Sequence, residues 1–157
     1  MKITAWRIAP EKYRDQAFTG DGAKIWGGRW NPMGRPAVYS AENLSLAVLE
    51  LIVHLEDHDD INRYIAIPVS FDSQLVKTLR RLPANWNQLP MGPESMAVGE
   101  KWLDENKYPV LKVPSTIVPI ESNFVLNPAH PGFGRLETGS PEKINLDPRI
   151  ADLLENK

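Results

Sequence analysis

Three side chains in the first third of the chain have chemistry that suits the binding and cleavage of a dinucleotide. Arg29 carries a planar guanidinium that can hold a phosphate through two parallel hydrogen bonds. Tyr39 offers an aromatic face for stacking, and Glu50 offers a carboxylate that can stabilise positive charge on a sugar. All three lie in WGGRWNPMGRPAVYSAENLSLAVLE, residues 26–50, which runs from a loop through a short strand into a helix.

The loop before that strand is rich in glycine and proline. Residues 18–36 contain five glycines and two prolines, and such a run does not hold regular structure for long. Glycines let a backbone approach a phosphate closely, although neither GxGxxG nor GxxxxGK[ST] is present. A plain surface loop explains the glycines equally well. Trp26 and Trp30, which flank Arg29, favour the binding interpretation, because large aromatic residues in a flexible loop usually pack on something.

The strand and helix that follow have clear signals. Residues 37–40, AVYS, predict a short strand, and Asn43 is a good N-cap residue for the next helix. Apolar residues then recur with the helical period from Leu44 to Leu55. Glu50 lies beside this stripe, where its carboxylate would be partly desolvated and would need a partner. A solvated glutamate at the edge of a surface helix is the alternative.

The rest of the chain mixes strand-like and helix-like segments. The sequence predicts a helix at 94–106, a short C-terminal helix after Asp147-Pro148, and strands at 3–8, 64–71, 110–113, 116–121 and 123–126. Pro68 indicates that the 64–71 strand lies at an edge or has a bulge, and residues 73–82 fit either a helix or a strand. Much β-structure in the second half predicts an α+β domain.

Composition indicates one globular domain over residues 1–157. Hydrophobic residues make up 42% and charged residues 24%, without an internal repeat or a linker. No apolar run approaches the roughly 18 residues of a membrane span, and the N-terminus lacks the apolar core of a secretory signal, so a cytoplasmic location is expected. The lack of cysteine excludes disulfides. A formal net charge of −2 with scattered basic residues argues against direct DNA or RNA binding.

A metal site is not expected. His54 and His58 have the i, i+4 spacing of zinc ligands on one helix face, but the stretch reads HLEDH and not HExxH. His130 is the only other histidine, and the acidic residues around His58 are typical of a solvated helix end.

The motif GGRWNPMGRPAVYSA, followed by AVLE, resembles the RES-domain toxins of bacterial toxin–antitoxin modules. VPS at 113–115 and NFVLNPAH at 123–130 extend the resemblance over nearly the whole chain. The resemblance implies a compact ADP-ribosyltransferase-like fold, in which a split β-core with flanking helices holds NAD+ as substrate. The matching catalytic residues are Glu50, Arg29 and Tyr39. Arg29 and Tyr39 would also bind NAD+, and weaker matches for NAD+ binding are Ser115, Arg7 and Asn123.

The activity implied by this resemblance is a growth-inhibiting toxin that cleaves NAD+ at the nicotinamide–ribose bond. Water or phosphate would be the acceptor, as in a glycohydrolase or a phosphorylase. Protein ADP-ribosylation is the alternative. Transferases of this fold often carry a second glutamate two residues before the catalytic one, and here that position is Val48. An RNA-cleaving toxin and a non-catalytic nucleotide-binding module are the alternatives from other classes.

A toxin of this kind also implies a partner, an antitoxin with an Xre-type helix-turn-helix. The toxin would contact DNA only through that antitoxin and would not contact a membrane. Arg29 and Arg35, near the mouth of the expected site, could receive the antitoxin's C-terminal carboxylate in place of a substrate phosphate. The oligomeric state is left open, a homo-oligomer included.

Overall fold

The computed structural model describes residues 1–56 and 59–155. Within them, four α-helices accompany a sheet of eight strands, which confirms the α+β class. The helices are α1 (Asp21–Trp26), α2 (Leu44–His54), α3 (Pro93–Glu105) and α4 (Pro148–Glu155). The strands are β1 (Lys2–Pro10), β2 (Val38–Ala41), β3 (Tyr64–Asp72), β4 (Val76–Thr78), β5 (Val110–Pro114), β6 (Ser122–Leu126), β7 (Glu137–Thr138) and β8 (Glu142–Lys143). None of the helices in the described ranges is long and apolar enough to span a bilayer.

The sheet runs in the order β4-β5-β6-β2-β1-β3-β7, and β8 also pairs with β3. Only β4 and β5 are parallel; the other pairs are antiparallel. β1 and β2 share a single register pair, Trp6 opposite Ala41, whereas β1 pairs with β3 along its whole length. That one pair joins a β4-β5-β6-β2 half to a β1-β3-β7 half, which is the geometry of a split β-core.

The two faces of the sheet bury different clusters. One face packs Ala5 of β1 and Val69 and Phe71 of β3 against Phe124 of β6, whose ring lies edge-on to that of Phe71 with centroids 5.4 Å apart. The other face lies under α2 and α3. The buried residues of that second face include Ala37, Ala41, Leu46, Trp30, Trp102, Leu103, Leu111, Val113 and Val125. The candidate site residues that are described below belong mostly to the second face.

The predicted strand at 116–121 is wrong, because the chain turns there. The hydroxyl oxygen of Ser115 accepts the N–H groups of Ile117 at 3.0 Å and Val118 at 3.1 Å. The N–H of Glu121 then donates to the carbonyl of Val118 at 2.8 Å. A serine that captures backbone donors two and three residues ahead competes with strand pairing, so β5 ends at Pro114 and β6 begins at Ser122.

Two other segments differ from or refine the expectations. Pro68 lies inside β3, whose outer side is covered by β7 and β8. These two strands pair on either side of the proline, so its missing N–H falls in the gap between them. The ambiguous residues 73–82 form a 3₁₀ turn, Ser73–Leu75, followed by β4.

Helix α2 begins as its sequence predicts. Asn43 caps it, with the side-chain oxygen accepting the Leu46 N–H at 2.8 Å. The buried residues of the helix are Leu46 and Ala47. The stripe from Leu44 to Leu55 is otherwise half-buried or exposed, so the helix lies more shallowly on the sheet than its periodicity indicates.

The glycine-rich loop is more regular than predicted. It contains α1, whose N-cap Gly20 has φ 75° and whose C-cap Gly27 has φ 72°. Both angles lie in the left-handed region that favours glycine. The amide of Asn31 donates to the carbonyl of Ala23 at 2.8 Å, which ties the helix to the rest of the loop. A short helix therefore survives where the turn residues alone predicted none.

Helix α3 is pressed directly onto the backbone of the loop. A Cβ built on Gly99 would lie 1.6 Å from the carbonyl oxygen of Trp30. The indole of Trp30 is buried against Trp102 and Leu103 of the same helix. Gly99 weakens helix propensity, but only a residue without a side chain lets α3 approach Trp30 this closely.

Replacing Gly99 by alanine should therefore destabilise the protein, because α3 and the Trp30 backbone must separate. Overpacking of this kind costs about 1–3 kcal/mol or more, which a thermal or urea unfolding curve would measure. Gly22→Ala is the matched control, since Gly22 is helical and a Cβ there meets nothing within 4 Å. That control should be neutral or stabilise by roughly 0.4–1 kcal/mol. Equal unfolding curves for the two variants would contradict this account of the α3 contact.

Candidate active site

Glu50 extends from α2 toward the sheet and is held by two donors. The hydroxyl of Ser115 and the amide of Asn123 each donate to the Glu50 Oε1 at 2.8 Å. In the described residues, the second oxygen, Oε2, accepts no hydrogen bond. One oxygen thus fixes the carboxylate in place while the other is left for a ligand. Hydrogen bonds to an ionised acceptor are stronger than neutral ones, so the pair also orients the side chain.

Both donors are themselves fixed. Ser115 is fully buried, and its oxygen accepts two backbone N–H groups, so its single proton is directed at Glu50. Asn123 is paired in register with Ala41 of β2 and with Val113 of β5. The buried Oδ1 of Asn123 accepts no hydrogen bond from the part of the chain that the structure describes. The amide is held by its strand and by Glu50 alone.

Tyr39 lies on the same face of the sheet as these groups. Tyr39 is paired with Val125, and Ala41 with Asn123. Paired residues and alternate residues of a strand point to the same side, so the Tyr39 ring and the Asn123 amide share one face. The two positions are separated by two residues of β6, roughly 7 Å. The sequence-predicted Tyr39 and Glu50 are therefore brought together on one surface.

The hydroxyl of Tyr39 holds the glycine-rich loop. It donates to Oδ1 of Asn31 at 2.6 Å and accepts the N–H of Trp30 at 3.1 Å. Burial raises the pKa of Tyr39, and this outweighs the Trp30 hydrogen bond and the nearby Arg29 charge, which lower it. The phenol therefore stays protonated and keeps donating to Asn31. The ring, and not the hydroxyl, remains for contact with a ligand.

Asn31 is the centre of this loop, and the sequence analysis did not single it out. It is 0% exposed, and its amide donates to the carbonyls of Ala23, Pro32 and Arg35. Gly28 and Asn31 pair as a small antiparallel bridge, so Arg29 and Trp30 form the tip of a tight hairpin. The available signal was an Asn-Pro pair among glycines, which predicts a turn but not its hydrogen bonds.

Arg29 leaves the hairpin tip toward another loop. Its Nη1 donates to the carbonyls of Trp86 at 2.9 Å and Gln88 at 3.1 Å. Trp86 stacks on Trp30 with ring centroids 6.3 Å apart, which keeps these carbonyls in place. Arg29 makes no ion pair with any carboxylate of the described residues. Its charge is thus positioned but not neutralised, and sequence reasoning missed the two carbonyls because backbone acceptors have no sequence signal.

Arg35 is less free than expected. Its Nη1 forms an ion pair with Oδ1 of Asp104 on α3 at 2.6 Å. Arg29 and Arg35 were expected to form a basic pair at the mouth of the site. Because Asp104 neutralises Arg35, Arg29 is the member of that pair whose charge stays uncompensated.

Arg7 is not placed beside Glu50. Trp6 faces Ala41 across the β1–β2 pair, so its neighbour Arg7 leaves β1 on the opposite face. The Arg7 Nε donates to the carbonyl of Ala17 at 3.1 Å, and its Nη1 donates to the carbonyl of Tyr39 at 3.3 Å. Burial lowers the pKa of the Arg7 guanidinium. Arg7 thus meets the site at the backbone of Tyr39, where the two halves of the sheet are joined.

The histidines that were considered as zinc ligands do not belong to a metal-binding cluster in the described residues. Among the described residues, no group of three or more His, Asp or Glu could hold a metal ion. The prediction about His54 and His58 falls partly on residue 58, which lies outside the described residues.

Comparison with known proteins assigns the family. A model described as the RES domain matches residues 4–147. "Toxin Res" of Yersinia enterocolitica is 35% identical over 148 residues, covering 92% of this chain and 97% of that protein. "Prs ADP-ribosylating toxin" of Sphingobium sp. is 39% identical over 157 residues, covering 96% and 98%. The chain therefore belongs to the RES-domain family, as the motif at the glycine-rich loop predicted.

A solved structure shares the fold. The chain superposes with a TM-score of 0.74 on a chain of the M. tuberculosis MbcT-MbcA toxin-antitoxin complex, at 20% identity, covering 100% of this chain and 91% of that one. At this identity the likeness concerns the fold, and it agrees with the mixed sheet and flanking helices described above.

Replacing Tyr39 by phenylalanine should destabilise the protein although the ring is kept. The change leaves the Trp30 N–H and the buried Asn31 oxygen without this partner, at a cost of about 1–3 kcal/mol. The free energy of unfolding from urea titration measures the loss. Tyr13→Phe is the control, because the Tyr13 side chain is exposed and should change stability little. If the Tyr39→Phe and Tyr13→Phe curves coincide, the hydroxyl does not hold the loop.

Proposed function

We propose that this protein is a toxin that cleaves NAD+ at the nicotinamide–ribose bond. The single observation that carries the proposal is the Glu50 carboxylate, with Oε1 fixed by Ser115 and Asn123 and Oε2 left without a donor among the described residues. Membership of the RES family and relatives that bear the name toxin support the same activity.

Glu50 would act on the sugar. As the bond from ribose C1′ to the nicotinamide nitrogen breaks, its electron pair leaves with nicotinamide and positive charge develops on the ribose. A carboxylate oxygen beside C1′ stabilises that charge more than it stabilises the ground state. Because Ser115 and Asn123 hold Oε1 beforehand, the carboxylate needs little rearrangement when the charge appears. An acceptor oxygen then forms the new bond to C1′, and a water acceptor releases one proton to solvent as it does so.

The residues around Glu50 would hold the rest of the dinucleotide. The Tyr39 ring, whose hydroxyl is occupied by Asn31, is left to stack on nicotinamide. Arg29, whose charge no carboxylate of the described residues neutralises, would hold the pyrophosphate with the guanidinium nitrogens other than Nη1. Arg7 is a half-buried cation without an ion-pair partner in the described residues, and from the opposite face of the sheet it would affect NAD+ binding only through the backbone of Tyr39. Ser115 and Asn123 would bind NAD+ through Glu50.

The acceptor separates two candidate functions. Water or phosphate would release an ADP-ribose product, whereas a protein acceptor would become ADP-ribosylated. The second candidate is favoured by the Sphingobium relative, which is called an ADP-ribosylating toxin. The residue two positions before Glu50 is Val48, which lacks the carboxylate expected of arginine-modifying transferases. We therefore place cleavage with water or phosphate first.

The proposal includes a partner and a compartment. An antitoxin, of the Xre-type helix-turn-helix class, would cover the site and restrain the toxin in the cytoplasm. The shared fold with a chain of a toxin–antitoxin complex supports a partner of this kind. Since Arg35 is paired with Asp104, a C-terminal carboxylate of the antitoxin would meet Arg29 first.

Glu50→Gln should abolish the activity without unfolding the protein. Glutamine keeps the shape and an oxygen for Ser115 and Asn123, but it carries no charge to stabilise the sugar cation. We expect nicotinamide release from NAD+ by the purified chain to fall about 100-fold or more, the loss seen when one transition-state stabiliser is removed. Chromatography of the second product, with and without phosphate or added cell protein, identifies the acceptor.

The matched control is Glu100→Gln, an exposed glutamate of α3 that lies outside this site. Its rate should equal that of the unchanged chain. Full nicotinamide release by the Glu50→Gln variant would remove Glu50 from the mechanism. Cleavage of labelled RNA by the unchanged chain, without nicotinamide release from NAD+, would instead support the RNA-cleaving alternative.

A further inference from the structure

The turn between β5 and β6 contacts the start of α2 as well as Glu50. The side-chain amide of Asn43, the N-cap residue of α2, donates to a carboxylate oxygen of Glu121. The other polar atom of that side chain, Oδ1, accepts the N–H of Leu46 at 2.8 Å. Asn43 thus caps the helix with its oxygen and binds the turn with its nitrogen. The proposed mechanism gives this Asn43–Glu121 pair no task.

The turn lies along α2, and its contacts follow the helix in order. At the end of the turn, Glu121 meets the N-cap. In the middle, Val118 packs against the buried cluster that includes Leu46. At its start, Ser115 donates to Glu50, which is roughly 10 Å from the N-cap along the helix axis. Contacts at both ends and in the middle determine where α2 lies relative to the turn.

The backbone of Glu121 closes the turn independently of its side chain. Its carbonyl accepts the Ser115 N–H at 2.9 Å, and its N–H donates to the Val118 carbonyl at 2.8 Å. A substitution of the side chain leaves both backbone bonds in place and removes the contact with Asn43. Glu121 is half-buried, and a bond to an ionised acceptor that is partly shielded from water is stronger than an exposed neutral one.

We propose that Glu121 is a positioning residue for Glu50, an inference that rests on the proposed function. By holding the N-cap, the Glu121 carboxylate fixes α2 along the turn. The position of α2 decides whether Glu50 Oε1 meets the Ser115 hydroxyl, and therefore where Oε2 is placed for ribose C1′. A displacement of about 1 Å at a reacting group lowers a rate by up to roughly 100-fold. Glu121 thus acts on bond cleavage through α2, without touching NAD+.

The test changes the pair one member at a time in the purified full chain. Glu121→Ala removes the acceptor. Asn43→Asp removes the donor but keeps an oxygen for the Leu46 N–H, so the helix cap remains. Each change should lower kcat for nicotinamide release about ten-fold, with KM for NAD+ within about two-fold of the unchanged chain. Glu121→Gln keeps an acceptor oxygen for the Asn43 amide and should retain the rate.

Reversing the pair provides the rescue. When Asn43→Asp is combined with Glu121→Gln, the new amide can donate to the new carboxylate, and most of the kcat lost in Asn43→Asp should return. Glu105→Ala is the matched control. It removes a carboxylate that accepts a hydrogen bond from Lys77 at 2.8 Å and joins α3, not α2, to the sheet. Its kcat should equal that of the unchanged chain.

A double-mutant cycle separates positioning from a loss of folded protein. A stability defect lowers the rate by the same factor in every background, whereas a residue that acts through Glu50 has little left to affect once Glu50→Gln is present. Glu121→Ala should therefore lower the residual rate of Glu50→Gln by less than about two-fold. An unchanged kcat in Glu121→Ala, or an equal loss with and without Glu50→Gln, would overturn the inference while NAD+ cleavage by the unchanged chain still stands.

The position of Glu50 also has a readout that needs no turnover. The side-chain amide of Asn123 donates to Glu50 Oε1 at 2.8 Å, so its NMR signal reports on that bond. The signal should move in Glu121→Ala and stay in Glu121→Gln and Glu105→Ala. If the unchanged chain releases no nicotinamide, the proposed function fails, and this signal carries the test. An Asn123 signal that is the same in Glu121→Ala as in the unchanged chain contradicts the inference in either case.

Discussion

The two hydrogen bonds that converge on Glu50 Oε1 are the constraint on which the site depends. They join α2 to β6 and to the turn after β5, three segments that are far apart in the chain. A half-buried carboxylate needs such donors, because removing it from water without them would be costly. The Ser115 hydroxyl can serve only because the following turn supplies it with two backbone N–H groups. The same turn is what interrupts the sheet at residues 116–121.

A second hydrogen-bond network fixes the glycine-rich loop, beside Tyr39 on the same face of the sheet. The Tyr39 hydroxyl and the Asn31 side chain fix a hairpin whose tip directs Trp30 into the core and Arg29 outward. Gly99 makes this arrangement possible, since α3 touches the Trp30 backbone without a side chain between them. The glycines and aromatic residues of the loop thus serve mainly to pack the loop and fix its backbone. They create a rigid support on which an uncompensated guanidinium can meet an anion.

Local features of the fold were readable from the sequence, whereas long-range contacts were not. The Asn43 cap and α2 followed from residues within a few positions of each other. The turn at Ser115 was missed because valine, threonine and isoleucine around it have high strand propensity, while one hydroxyl decides the conformation. The family motif selected the stretch with Arg29, Tyr39 and Glu50, and the role of these residues in the site stays a prediction. It did not indicate that Asn31 organises the loop, nor that the Arg7 side chain lies on the opposite face of the sheet from Glu50.

In the proposed complex, Glu50 Oε2 meets ribose C1′ of NAD+ while Arg29 meets the phosphates. A crystal structure of the Glu50→Gln protein with NAD+ bound tests it most directly, because this variant keeps the shape of the site without turnover. We expect C1′ beside the side chain of residue 50 and the pyrophosphate against Arg29. A dinucleotide bound with its nicotinamide riboside on the face of the sheet opposite Asn123 would contradict it.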